Sequence, residues 1–288
     1  MKRIFIGGCS RSGTTFLQEL LANHPRVQTF PETGVFLKAL GMRGRVLPWV
    51  HLGLTLGKER KALARLLEEM GLPPERCPPL PPRRFFLSRS ARDVAAFLDT
   101  LAEQEGKDVW LEKTPRHVLH AARIRRMVPG SVFVHMVRDG RDVVASIVDR
   151  ARRFPTEFPR QDDPAYGIRQ WNRSLEATRA AMKEPGHVVV LYEDLAAHPE
   201  ETLRSLCRAL GLDFREAMLD RKGSRTFVTE KEGWKDQTGG PIRPAPSKFP
   251  RLFDETEQRR IRSRLNMGFY ETLKKRIQQS PGSVRVSR

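Results

Sequence analysis

Residues 3–22 read RIFIGGCSRSGTTFLQELLA, and they constrain the chain more than any other stretch. Ile4, Phe5 and Ile6 form a short apolar, β-prone run that Gly7 and Gly8 interrupt. Cys9 to Thr15 make a small polar turn, and Phe16, Leu17, Leu20 and Leu21 then recur at helical spacing. The order is strand, tight loop, helix. A helix start leaves backbone N–H groups without partners and carries partial positive charge. A loop of small residues lets an anion approach those groups closely. Arg11 adds a full charge, Ser12, Thr14 and Thr15 add hydroxyls, and Gly13 can take backbone angles that bulkier residues resist. The stretch is expected to hold a phosphate-like group. It departs from the nucleotide triphosphate loop G-x-x-x-x-G-K-[ST]. Gly8 and Gly13 keep the glycine spacing, but Thr14 stands where the lysine belongs and Arg11 lies inside the loop. An ordinary β-turn-α connection is the plainer alternative.

The remaining chain alternates strands and helices. Val27 to Phe30 suits a second strand, Asp108 to Leu111 a third, Val132 to Val137 a fourth and His187 to Leu191 a fifth. Helical spacing marks 62–70, 91–105, 143–147, 166–182, 200–210 and one long final helix, 254–274. This alternation predicts an α/β fold: a P-loop-like, doubly wound, mostly parallel sheet flanked by helices. One domain over 1–275 is expected, with a helical insertion at 34–106 and a basic loop at 221–249. The insertion is read either as a cover that shapes an acceptor cleft or as a structural excursion. The tail, 276–288, is expected to be disordered. In such a sheet the loops that follow strands gather at one edge. That brings together the Arg11 to Thr15 turn, Glu32, Lys113, Arg138 and Tyr192.

These segments, taken in order, resemble the PAPS-dependent sulfotransferases, whose donor is 3′-phosphoadenosine 5′-phosphosulfate (PAPS). R-S-G-T-T-F-L followed by L-A-N-H-P is similar to that family's 5′-phosphosulfate loop. The variant with Arg11 resembles protein-tyrosine, carbohydrate and many bacterial members. V-R-D-G-R-D-V-V-A-S, residues 137–146, resembles the segment whose Arg and Ser hold the donor's 3′-phosphate, here Arg138 and Ser146. E-K-T-P at Glu112 to Pro115 is similar to the segment that supplies a lysine near the transferring group, here Lys113. L-Y-E-D-L resembles the segment whose tyrosine, here Tyr192, contacts adenine. The resemblance implies donor contacts from Arg11, Ser12, Gly13, Thr14, Thr15, Arg138, Ser146 and Tyr192. By position alone it adds Lys222 and Gly223 in the basic loop.

The resemblance further implies sulfuryl transfer to a hydroxyl or amine, with PAP (adenosine 3′,5′-bisphosphate) as product and no metal. Lys113 is expected on the leaving-group side and Arg11 on the phosphosulfate. Cytosolic small-phenol members use a histidine two places after the lysine, where this chain has Pro115. Protein-tyrosine and heparan-type members use a glutamate after the second strand, and Glu32 in F-P-E-T matches it. Glu32 is therefore the expected general base, with His117 as runner-up.

Composition narrows the partners without naming one. With 52 Lys and Arg against 34 Asp and Glu, the formal charge is +18, which favours anionic ligands. A glycan, a peptide or a small molecule would each serve as acceptor, and nucleic-acid motifs are absent. Cys9, Cys77 and Cys207 have no paired spacing, which argues against a zinc site or disulfide framework. The N-terminal apolar run is too short for a signal peptide and no stretch is long enough to span a bilayer, so a cytoplasmic location is expected. Two other readings stay open: a P-loop nucleotide kinase or NTPase, and a non-enzymatic basic protein that binds anionic polymers.

Overall fold

A computed structural model describes residues 1–39, 52–55, 58–221, 242, 244, 246–279 and 282–287. Its strands are β1 (Lys2–Gly8), β2 (Val27–Thr29), β3 (Val109–Lys113), β4 (Val132–Val137), β5 (His187–Leu191) and β6 (Arg285–Val286). They form one six-stranded sheet in the order β2-β3-β1-β4-β5-β6. β1 to β5 pair in parallel, and β6 runs antiparallel to β5. The described α-helices are α1 (Thr14–Ala22), α2 (Val35–Ala39), α3 (Glu59–Met70), α4 (Leu87–Gln104), α5 (Ala121–Met127), α6 (Gly140–Arg153), α7 (Pro164–Ala181), α8 (Tyr192–Ala197), α9 (Pro199–Leu210), α10 (Phe249–Leu252), α11 (Glu255–Arg264) and α12 (Gly268–Gln278).

Side chains alternate across the strands, so each face collects its own helices. Phe5, Trp110 and Phe133 face α3, α4 and α5 through Leu63, Leu66, Val94, Leu98 and Ile124. The described helices of the 34–106 region thus belong to the main core. Ile4, Ile6, Leu111 and Val134 face the other way, onto Leu17, Leu20 and Leu21 of α1 and Leu203 and Leu206 of α9. Val137, Val189 and Leu191 are covered by α6, α7 and α12.

Two expectations about the C-terminal part need correction. The last helical stretch is two helices, α11 and α12, not one. Asn172 of α7 marks the break: its Oδ1 accepts from the Asn266 N–H at 2.9 Å, and its Nδ2 donates to the Arg264 carbonyl at 2.9 Å. The tail is not structureless. Ser287 N–H donates to the His187 carbonyl, and Gly282 N–H donates to Asp194 Oδ2, so the segment serves as the sheet's antiparallel edge. A two-residue strand held by distant partners leaves no local pattern to read.

Beneath β4 and β5 lies a buried polar cluster. His135 Nε2 meets His187 Nδ1 at 2.9 Å, and His135 Nδ1 meets Thr178 Oγ1 at 3.1 Å. A ring nitrogen that accepts cannot also carry a proton, so both rings cannot be cations. Burial first, then the neighbouring His187, holds His135 well below its ordinary value. Burial, then Arg125, pushes His187 down to about 4. The unfolded chain therefore binds more protons than the folded one below the ordinary histidine value of 6.5. The stability these rings contribute is complete above that value and is lost as the pH falls towards about 4. The expected result is a Tm that falls between about pH 7 and about pH 5. A flat profile over that window, measured by thermal denaturation, would exclude this account.

Candidate active site

The parallel register brings four strand ends level. Gly8 lies opposite Met136, Ile6 opposite Lys113, and Val137 opposite Leu191. The segments that follow β1, β2, β3, β4 and β5 therefore meet at one edge, as the alternation predicts.

After β1 the chain makes a tight turn. Arg11 has φ 72° and Gly13 has φ 91°, so two nearby residues occupy left-handed backbone. For arginine this conformation is sterically costly, and such strain gathers at sites that need a fixed backbone. Gly13 has a second constraint. A Cβ there would lie 2.5 Å from Tyr192 Cδ2, closer than any side chain allows. No side chain caps α1, and no acidic residue lies in its first turn. The N-terminus of α1 thus keeps its unpaired N–H groups and its positive end for another anion. Ser12 Oγ is buried and has no hydrogen-bond partner among the described residues.

The segment after β4 reaches back to this turn. Arg138 Nη1 donates to the Arg11 carbonyl at 3.4 Å, and Arg11 Nε donates to Ser146 Oγ at 3.1 Å. The Arg138 guanidinium also lies over the Tyr192 ring, 4.2 Å from its centroid. Trp171 Nε1 donates to the Arg138 carbonyl at 2.9 Å and fixes the backbone from behind. Tyr192, at the start of α8, is thereby wedged between Gly13, Phe16 and Arg138.

Arg150 completes the basic cluster, and it is absent from the site expected from the residue order. It lies one turn beyond Ser146 on α6, stacks over Phe158 at 3.7 Å and donates to Gln161 at 2.9 Å. Its signal was the four-residue spacing from Ser146, hidden among the other arginines of that helix. Burial and then the charge of Arg11 push Arg150 down to about 10. Burial and then the charge of Arg138 lower Arg11. Nε of Arg138 and Nε of Arg150 are buried without hydrogen-bond partners among the described residues. Like charges held this close, with orphaned donors, fit an anion with several oxygens.

At the other end of the edge, Lys113 closes β3. Its side chain is 2% exposed, and its Nζ donates to Glu32 Oε2 at 2.9 Å. The Glu32 side chain is 38% exposed, so it meets both the lysine and solvent. His117 is fully buried against Glu112, out of reach of any external acceptor. His24 bonds the Asp213 carbonyl and has a structural role. Lys222 and Gly223 lie outside the described residues. Arg221, at the start of the basic loop, forms an ion pair with Glu19 of α1 at 2.7 Å. Among the described residues, no group of three or more His, Cys, Asp or Glu is placed to hold a metal ion, and no helix is long and apolar enough to cross a membrane.

A mostly parallel sheet with a tight, glycine-containing turn after its first strand, and a basic segment after its fourth, defines a P-loop-like α/β protein. Residues 3–216 match the sequence model described as the Sulfotransferase family, and the chain belongs to that family. It is similar to the protein-tyrosine sulfotransferase of Drosophila melanogaster, 29% identical over 240 residues that cover 81% of this chain and 42% of that protein. It is also similar to protein-tyrosine sulfotransferase 2 of Gallus gallus, 28% identical over 225 residues, 76% of this chain and 53% of that one. The chain thus spans about half the length of these curated relatives. Among solved structures, the sulfotransferase domain from the Synechococcus PCC 7002 olefin synthase shares the fold, with a TM-score of 0.56 and 21% identity over 91% of this chain and 94% of that one.

Proposed function

We propose that the chain catalyses sulfuryl transfer from PAPS to an acceptor hydroxyl. The observation that carries this reading is the Arg11, Ser146 and Arg138 contact, which joins two anion-holding arms at one sheet edge. When bound, PAPS supplies a sulfuryl group whose bond to the 5′-phosphate breaks as the bond to the acceptor oxygen forms, leaving PAP. Arg11, Ser12, Gly13, Thr14 and Thr15 hold the 5′-phosphosulfate through side chains and the N–H groups of the turn. Arg138, Ser146 and Arg150 hold the 3′-phosphate, a group that ATP lacks. Tyr192 offers its ring beside the adenine. Lys113 offsets negative charge on the leaving oxygen, and Glu32 accepts the acceptor's proton. Positioning and positive charge carry most of the rate, as they do in phosphoryl transfer.

The names of the relatives make a peptide tyrosine the first acceptor to test. The basic balance of the chain favours an acidic context around it. Titration with PAP and, separately, with ATP plus Mg²⁺ tests the donor assignment. Tight binding of PAP and weak binding of ATP is the expected result. The reverse order would favour a nucleotide kinase or NTPase and would defeat the assignment.

A further inference from the structure

Glu112 sits in β3 with its side chain fully buried, an expensive place for a carboxylate. Its partners explain why it is tolerated. Thr33 Oγ1 donates to Glu112 Oε1 at 2.8 Å, and Thr114 Oγ1 donates to the same oxygen at 2.6 Å. His117 Nδ1 lies 2.8 Å from Oε2, also fully buried. Neither of those two atoms forms an aligned hydrogen bond among the described residues, so the two side chains meet in a close, buried contact. Burial alone would raise the Glu112 pKa. The charge of His117 and the two hydroxyls outweigh it and hold the carboxyl below the usual range.

The pattern around Glu112 is a clasp between two short segments. Glu32 meets Lys113, Thr33 meets Glu112, and the Gly34 N–H donates to Thr114 Oγ1 at 3.1 Å. Three successive loop residues are thus tied to three successive residues at the end of β3. Thr33 Oγ1 also accepts from the Val35 N–H at 3.0 Å, which fixes how the loop enters α2. Neighbouring side chains on a strand point to opposite faces, so Glu112 anchors the loop from behind while Lys113 faces Glu32.

We infer that Glu112 is a positioning residue: through Thr33 and Thr114 it sets the placement of the Glu32 carboxylate relative to Lys113. This rests on the assignment of Glu32 as base in the reading above. A small error in such a placement costs rate without costing donor affinity, because the donor arms lie on β1 and β4.

The test compares Thr33→Val with Thr33→Ser in the full chain. Valine keeps the shape and removes the hydroxyl, whereas serine keeps the hydroxyl. Turnover is read as PAP formed from PAPS, with water as acceptor and with a tyrosine-containing peptide. Donor binding is read by titration with PAP. Thr33→Val is expected to lower kcat about 10- to 100-fold with PAP affinity within about twofold of the parent. Thr33→Ser is expected to restore most of the rate. The inference is overturned if Thr33→Val keeps the parent kcat. It is overturned equally if PAP affinity falls along with kcat, or if serine fails to rescue. Glu32→Gln separates the two levels. If it abolishes turnover while Thr33→Val does not, only the positioning role fails. If it keeps full turnover, the base assignment fails first. A parent chain that binds PAP but forms none from PAPS removes both.

Discussion

Replacing Glu32 by glutamine is expected to lower turnover about 10²- to 10⁴-fold, the range a positioned general base contributes. PAP affinity should stay within about a factor of two, because in the proposed reaction Glu32 accepts the proton and does not hold the donor. The substitution is conservative in shape. An amide oxygen can still accept from Lys113 Nζ, which now reaches the carboxylate at 2.9 Å. What the amide cannot do is take a proton at neutral pH. A retained rate with a peptide acceptor would show that the proton goes elsewhere, to solvent or to the donor itself.

Arg138→Ala is the second large effect, and it acts on binding. Truncating one partner of a hydrogen-bonded charge pair costs about 2–5 kcal/mol. At about 1.4 kcal/mol per tenfold, PAP affinity should fall by roughly 30-fold to several thousandfold. The loss should be confined to ligands that carry a 3′-phosphate, so adenosine 5′-phosphosulfate should bind parent and variant alike. The backbone anchor survives, because Trp171 bonds the carbonyl and not the side chain. Lysine at the same place should recover only part of the affinity, since it lacks the planar fork. Equal weakening for ligands with and without the 3′-phosphate would move Arg138 out of the 3′ arm.

The gathering of these residues at one sheet edge could be read from residue order alone, and the reasons are local. β4 and β5 were legible because their runs are apolar apart from His135 and His187 and follow Pro-Gly turns. The Arg11 to Thr15 turn was legible because its setting, strand before and helix after, is written in adjacent residues. Glu32 and Lys113 could be placed at one edge, but their direct contact depends on how two distant segments dock. Glu112 was read only as part of E-K-T-P. Nothing local says that a carboxylate there turns inward to meet Thr33, 79 positions away. Arg150 was lost in a helix rich in arginine, where only packing against Phe158 and the proximity of Arg11 single it out. The antiparallel edge at β6 was missed because its partners lie about a hundred positions back in the chain, at His187 and Val188.

The crowding of Arg11, Arg138 and Arg150 has a practical corollary for any bench study of this protein. A seat of mutually repelling guanidinium groups will accept whatever small oxyanion the buffer offers. Inorganic sulfate or phosphate in the medium should therefore raise the melting temperature and, by competition, weaken nucleotide affinity. Constants measured in phosphate and in a bulky zwitterionic buffer will then disagree, with no change in the protein itself.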